Sequence, residues 1–325
     1  MPMTGTRTKK KTALIIGAAG FVGNYLAQEL KSAGRSVLVT RLQNERYDGF
    51  CDGEYCLDVT DAESVRSVIG QARPDEIYHL AAQSSVAVSW KKPGLTVDVN
   101  IRGAVNLLEA VRECAADAVV LLIGSAEEYG AVTPEECPIK EEHPTHPKNI
   151  YAMTKAAQNM TGKLYCDAYG MKVRMVRAFN HFGPGQAPQF VISDFCRQVA
   201  EIESGARQPI MKVGNLDAKR DFTDVRDIVR AYRMLAESGV DGATYNVGSG
   251  KAVSIRDMLD TILSLSTAQI SVEKDPLRLR PSDVPLHCAD IGRISRDVGW
   301  HPEIPREETV LATLDYWRSE IKKNG

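Results

Sequence analysis

The chain has 325 residues, 43% of them hydrophobic and 25% charged, with a formal net charge of −2. That length supplies apolar material for one large core or two smaller ones. A near-neutral balance without a long basic run argues against a nucleic-acid surface, and the longest apolar runs, such as Val119 to Ile123, are too short to span a bilayer.

Residues 1–11 (MPMTGTRTKKK) are polar and basic and read as a loose leader, with no apolar run of signal-peptide length before Gly17. Seven cysteines at irregular spacing fit reduced, cytoplasmic thiols better than a disulfide framework. Cys51-x4-Cys56 lacks a second Cys/His pair nearby and reads as plain burial. His143-x2-His146, in a Pro-rich stretch, reads as loop, so no metal site is expected.

Thr12 to Ile16 is a continuous apolar run, as in a buried parallel strand. Gly17-Ala18-Ala19-Gly20-Phe21-Val22-Gly23 follows, and helical periodicity runs from Asn24 to Leu30, ending near Gly34. Strand, glycine turn and helix in that order predict a dinucleotide-binding unit: the glycines permit a tight turn, close approach to a pyrophosphate and close helix packing. Ser36 to Thr40 is a second strand. At its end, where an NAD-binding chain places an acidic ribose ligand, stands Thr40-Arg41. With no carboxylate to repel a 2′-phosphate and Arg41 available to pair with one, NADP(H) is expected ahead of NAD(H). Tyr55 to Val59 reads as a third strand, with Asp58 able to accept from an adenine amino group and Asp61 capping the next helix. Asp75 to Leu80 runs into Ala81-Ala82, whose small side chains would let the backbone approach the cofactor. Ser84 and Ser85 offer hydroxyls to a sugar, or cap a turn. Val97 to Cys114 reads as one long helix and Val119 to Gly124 as another buried strand.

That strand delivers Ser125-Ala126-Glu127-Glu128-Tyr129-Gly130 to the edge where open α/β sheets bind ligands. Ser125 can hold a carbonyl oxygen, Glu127 can act as base or acid, and Glu128 reads as a solvated charge. Tyr151-Ala152-Met153-Thr154-Lys155 opens a helix that Gly170 ends, with Pro147 and Asn149 as start signals. Residues four apart share a helix face, so the Tyr151 hydroxyl and the Lys155 ammonium are expected to face one space. An ammonium about 4 Å away would lower the phenol pKa. A phenol so tuned exchanges protons with a carbonyl or an alcohol.

In their order and spacing, TALIIGAAGFVG, HLAA, GSAEEYG and YAMTK resemble the extended short-chain dehydrogenase/reductase family. The resemblance implies a doubly wound, mostly parallel α/β Rossmann sheet with a smaller C-terminal α/β substrate domain. It implies Ser125, Tyr151 and Lys155 as the catalytic set, with Glu127 beside them. Gly17, Gly20 and Gly23 would hold the pyrophosphate. Phe21, Val22, Val59 and Leu80 would line the cofactor, and Lys155 would also reach the nicotinamide ribose.

In the second half RAFNHFGPGQAPQFVISDF, KVGNLDAKRDFTDVRDI and LRLRPSDVP resemble the branch acting on GDP-sugars. That implies Ser84, Asn180, Val191, Arg220, Arg280 and Asp283 at the substrate, together with Ser125. The arginines offer planar forks for phosphate oxygens, and Asp283 an acceptor for ribose or guanine. Within the branch the likeness leans towards reductases that turn a GDP-4-keto-6-deoxy sugar into GDP-D-rhamnose. Ser125-Ala126-Glu127 stands where 4,6-dehydratases have Thr-x-Glu, and GAAGFVG where they have a GxTGQDG-type loop. Glu127 keeps the dehydratase open, because a carboxylate there could take the sugar C5 proton; a nucleotide-sugar epimerase is the other alternative. The expected division is 12–182 plus about 222–248 for the cofactor and about 183–221 plus 249–325 for the substrate. The helices at 97–114 and 150–169 are expected to pair with a second copy in a homodimer.

Overall fold

The computed structural model describes residues 10–278 and 286–324. Its strands are β1 (Thr12–Ile16), β2 (Ser36–Arg41), β3 (Gly53–Cys56), β4 (Glu76–His79), β5 (Val119–Ser125), β6 (Val173–Ala178), β7 (Asn180–Phe182), β8 (Ile210–Val213), β9 (Lys219–Asp224), β10 (Thr244–Val247), β11 (Ala252–Ser254) and β12 (Ser271–Lys274). Seven of them form one sheet in the order β10-β6-β5-β4-β1-β2-β3. Its pairings are parallel. The chain runs outward from β1 through β2 and β3 on one side, and from β4 through β5, β6 and β10 on the other. The order therefore reverses between β1 and β4, and a crevice opens at their carboxyl ends.

The unbroken apolar run of β1 has a plain cause. Ala13 and Ile15 pack in one core with Leu26 and Ile228, from the helices Phe21–Ser32 and Val225–Ser238. Leu14 and Ile16 pack in the opposite core with Ile69 and Leu107, from the helices Ala62–Ala72 and Gly103–Cys114. Covered on both faces, the strand has no polar side to show. Each buried leucine or isoleucine among them contributes about 1.5–3 kcal/mol by burial.

A third core lies under two small sheets, β11-β9-β7 and β12-β8. Phe182, Phe195, Val199, Met211, Met258 and Leu314 fill it, drawing on the helices Val191–Glu203, Ile255–Ser264 and Arg306–Asn324. Part of the stretch between those last two helices leaves this core. Ile294 and Trp300 are buried with the large sheet, and the Trp300 indole donates to the Asp227 carbonyl at 3.0 Å.

Three local expectations are corrected. The third strand is Gly53–Cys56 and stops before Val59. Beyond it Asp58 Oδ1 accepts from the Thr60 amide and hydroxyl, at 2.9 and 2.8 Å, which turns the chain. The helix expected from Val97 to Cys114 is two helices, Pro93–Val97 and Gly103–Cys114, joined by a π-turn at Asp98–Arg102. Buried Asn100 on that turn donates to the Gln83 carbonyl and to Thr154 Oγ1, and accepts from the Gln83 amide. Pulling one side chain sideways into two other segments is the kind of demand a π-turn meets. Cys56 is exposed rather than buried, and all seven cysteines are free thiols. Among the described residues, no helix is long and apolar enough to cross a membrane.

Candidate active site

The glycine turn is set by backbone geometry. Gly17 has φ +83°, and a Cβ there would stand 2.7 Å from the Ala81 backbone. A Cβ on Gly23 would lie 2.0 Å from the Ala18 carbonyl oxygen. Thr40 ties the turn to β2: its hydroxyl accepts from the Gly17 amide at 3.1 Å and its carbonyl from the Ala18 amide at 2.9 Å. Gly20 opens the helix Phe21–Ser32 with no side-chain cap, and no acidic residue lies in the first turn. Uncapped N–H groups at the positive end of a helix suit a pyrophosphate.

At the end of β2 the structure differs from expectation. Arg41 Nε donates to Glu54 Oε1 at 2.6 Å, and its Nη1 to the Leu42 carbonyl at 2.9 Å. The register of β2 on β3 pairs Val39 with Glu54 and Arg41 with Cys56, which brings that carboxylate alongside. Glu45 adds a second, accepting from the Leu42 amide at 3.0 Å. The end of β2 therefore holds an arginine and two carboxylates, and neither carboxylate stands at the usual position in the sequence.

The carboxyl end of β5 carries Ser125, and the helix Ile150–Tyr169 carries Tyr151 and Lys155. Asn149 caps that helix by accepting from the Ala152 amide at 2.8 Å, and Gly170 ends it in the left-handed conformation. The Ser125 hydroxyl accepts from the Glu127 amide at 3.2 Å, which leaves its own proton to give. Burial pushes the Tyr151 phenol up to about 12; the Ser125 hydroxyl draws it down, and Glu127 and Glu128 push it up.

Lys155 is not the partner expected from spacing alone. Its ammonium donates to the Ile123 carbonyl at 2.7 Å and to Gln158 Oε1 at 3.1 Å, and burial brings its pKa down to about 8. Sharing a helix face with Tyr151 does not aim the long side chain at the phenol; the strand carbonyl captures it. Beside it His79 is wholly buried and held neutral, its pKa pushed down to about 3 by burial and by the Lys155 charge.

Glu127 and Glu128 have opposite surroundings. Glu127 is half-buried, and Asn149 Nδ2 donates to it at 3.2 Å. Glu128, expected to be solvated, is wholly buried. It accepts from the Ser125 amide at 2.9 Å, Asn159 Nδ2 at 2.8 Å and Arg177 Nε at 3.0 Å. Burial raises its pKa against the pull of Arg177. By holding the Ser125 backbone it fixes where the serine hydroxyl stands, a role with no local sequence signal because Arg177 lies 49 residues away.

One cavity of about 1680 Å³ brings these groups together. Gly17, Gly20, Phe21, Val22, Gly23, Arg41, Asp58, Val59, Leu80, Ala81 and Ala82 line it on the side of the glycine turn, and Ser84 is in its wall too. Ser125, Glu127, Tyr151 and Lys155 stand in its wall, and Asn180, Val191 and Arg220 line the other end. Ser85, also in the wall, caps the helix Val86–Lys91. Arg280 and Asp283 lie outside the described residues. Single-ligand pockets run to about 1,000 Å³, so this one has room for a dinucleotide and a second ligand.

Sequence reasoning missed several wall residues, among them Phe179, Arg278, Tyr232 and His287. His287 Nε2 donates to the Gly130 carbonyl at 2.7 Å. Arg278 Nη1 donates to buried Asp194 at 2.5 Å. Phe179 lies in RAFNHF and Arg278 in LRLRPSDVP, two stretches already singled out; nothing local distinguished Tyr232 and His287.

The family model for GDP-mannose 4,6-dehydratase matches residues 14–313. The chain belongs to that family. Members similar to it include GDP-6-deoxy-D-mannose reductase of Pseudomonas aeruginosa, 31% identical over 95% of this chain and 98% of the relative. GDP-mannose 4,6 dehydratase 2 of Arabidopsis thaliana is 33% identical over 94% of this chain and 86% of the relative. Among solved structures, RMD from Pseudomonas aeruginosa complexed with NADPH superposes with a TM-score of 0.85 at 30% identity, covering 96% of this chain and all of that one. UDP-glucose 4-epimerase of Thermus thermophilus complexed with NAD reaches the same score at 28% identity, covering 94% and 99%. The extended short-chain dehydrogenase/reductase fold expected from the sequence is the fold of this family.

Proposed function

We propose that this protein is an NADPH-dependent reductase that converts GDP-4-keto-6-deoxy-D-mannose to GDP-D-rhamnose. The observation that carries the reading is the meeting of Ser125 and Tyr151 in one cavity with an uncapped glycine turn at one end and Arg220 at the other. The reductase of Pseudomonas aeruginosa, similar along nearly its whole length, supports it. Gly17, Gly20 and Gly23 hold the pyrophosphate of a nicotinamide dinucleotide, Arg41 faces its ribose, and Lys155 its nicotinamide end. When bound, that group supplies the hydride. Ser125 donates to the sugar keto oxygen, and Tyr151, protonated over the whole neutral range, gives its proton to the developing alkoxide. Asn180, Val191 and Arg220 hold the nucleotide diphosphate, with Ser84 near the sugar.

Glu127 supports a second reading. Its carboxylate is in the cavity wall, held by Asn149, and could remove the C5 proton in a 4,6-dehydratase. The two separate by cofactor balance. A reductase consumes one NADPH per sugar; a dehydratase returns its hydride in each turnover. Incubation with GDP-4-keto-6-deoxy-D-mannose and NADPH is expected to show stoichiometric NADPH loss, and GDP-mannose alone no 4-keto product. Conversion of GDP-mannose without net cofactor use, abolished by Glu127→Gln, would establish the dehydratase.

The cofactor lobe is assigned to 12–182 and about 222–248, and the substrate lobe to about 183–221 and 249–325, with Gly292–Trp300 packed back on the former. A homodimer through the helix Ile150–Tyr169 is supported by Met153, Met160 and Leu164, which lie on one face and are 40%, 65% and 63% exposed. Free thiols throughout support a cytoplasmic location.

A further inference from the structure

His287 joins two parts of the cavity wall. Its backbone amide donates to the Lys219 carbonyl at 3.1 Å, which places it beside Arg220 at the diphosphate end. Its ring reaches the other way, to the Gly130 carbonyl at 2.7 Å. Gly130 in turn donates its amide to the Glu127 carbonyl at 3.1 Å, so the ring arrives at the turn that carries Ser125 and Glu127. The Phe179 ring, also in the wall, meets it edge-on at 6.3 Å.

The Gly130 contact settles the tautomer. A carbonyl only accepts, so Nε2 carries the proton and Nδ1 the lone pair. Burial pushes the pKa of the ring down and keeps it neutral. Nδ1 has no hydrogen-bond partner among the described residues, yet it is not sealed off as both ring nitrogens of His79 are. His287 therefore offers the cavity one fixed, uncharged acceptor, midway between the reacting centre and Arg220.

A hexose bound with its keto carbon at Ser125 and Tyr151 and its anomeric carbon on the diphosphate has two edges between those points. The C2–C3 edge bears hydroxyls, which can donate. The other bears the ring oxygen and the C6 methyl group, which cannot. We propose that His287 is a specificity-determining residue whose Nδ1 accepts from a hydroxyl on the C2–C3 edge of the sugar. This rests on the GDP-sugar reading of the cavity.

The test uses two amides that each keep half of the imidazole. His287→Gln retains a donor near the Nε2 position, facing Gly130, and loses the Nδ1 acceptor. His287→Asn retains an acceptor near Nδ1 and loses the Gly130 contact. Calorimetric titration with GDP-D-rhamnose and with GDP, which lacks only the hexose, gives the ratio of the two affinities for each protein. Relative to wild type, the Gln variant is expected to bind GDP-D-rhamnose about 3- to 10-fold more weakly and GDP within about twofold. The Asn variant is expected to melt at a lower temperature but to keep the ratio within about twofold. Unchanged GDP-D-rhamnose affinity in the Gln variant would overturn the proposal. So would equal weakening of both ligands there, which marks a merely structural residue. If the Gln variant does not fold, the Asn variant decides: a kept ratio supports the role, and a ratio lowered 3-fold or more overturns it. A wild type that binds neither ligand would overturn the GDP-sugar reading itself, and this inference with it.

Discussion

The two ends of the cavity are made of different material. At the glycine turn the wall is main chain and small side chains: Gly17, Gly20 and Gly23, with Ala81 and Ala82 opposite. Their positions follow from β1, β2 and β4 and need no long side chain to choose a rotamer. At the far end the wall is made of long polar groups. Arg278 is paired with Asp194, His287 with the Gly130 carbonyl, and Asn180 and Arg220 project from short strands. Ligands meeting the first end find hydrogen-bond donors already in place. At the second, side chains must be ordered or exchange partners, which costs rotamer entropy. A main-chain site selects a class of ligand by shape, and a side-chain site selects one member of a class.

The largest effect tests what joins the two ends. Tyr151→Phe removes only the proton donor, so turnover is expected to fall about 100-fold or more while NADPH affinity stays near wild type. Stopped-flow and titration together check it; retained turnover would remove Tyr151 from the mechanism.

A matched pair breaks the comparison if it is wrong. Gly23→Ala forces a methyl group onto the Ala18 carbonyl, which only a backbone shift relieves, so NADPH should bind about tenfold more weakly or worse. Arg220→Ala should raise the KM for the GDP-sugar about tenfold and leave NADPH affinity unchanged. Crossed effects, with Arg220→Ala weakening NADPH, would mean that the ends are not separate.

The smallest effect sharpens the cofactor corner. Glu54 lies 2.6 Å from Arg41 and competes with a 2′-phosphate for it. Glu54→Gln is expected to raise the preference for NADPH over NADH about two- to fivefold at low salt. An unchanged ratio would show that Arg41 does not read the phosphate.

These ends also differ in how well the sequence discloses them. The glycine turn, the apolar strand before it and the Asn149-capped helix obey local rules, so their residues can be read from neighbours in the chain. Glu128 cannot, because its burial depends on Arg177 and Asn159 arriving from other elements. The same holds for Lys155, whose face is legible but whose target, the Ile123 carbonyl, is not. Glu54 escapes for a third reason: only the β2–β3 register places it beside Arg41. The polar residues at the sugar end follow no period, so the family resemblance alone singled them out.

The seventh strand of the large sheet, β10, comes from residues 244–247, after the chain has already built β7, β8 and β9 elsewhere. It closes the edge of the sheet by pairing with β6. A gene fragment ending after Phe182 would therefore encode a sheet with β6 bare, an open ladder inviting another chain to add itself. The helix that carries Tyr232 would be lost with it. The first part of the smaller lobe, about 183–221, is in effect a long insertion before the last strand of the large sheet, whereas its second part follows that strand. Recombination can exchange that first part as a loop between two fixed ends, but cannot trim it off as a tail. Diversity of substrate in such a scaffold is expected to arise inside the gene as well as at its end.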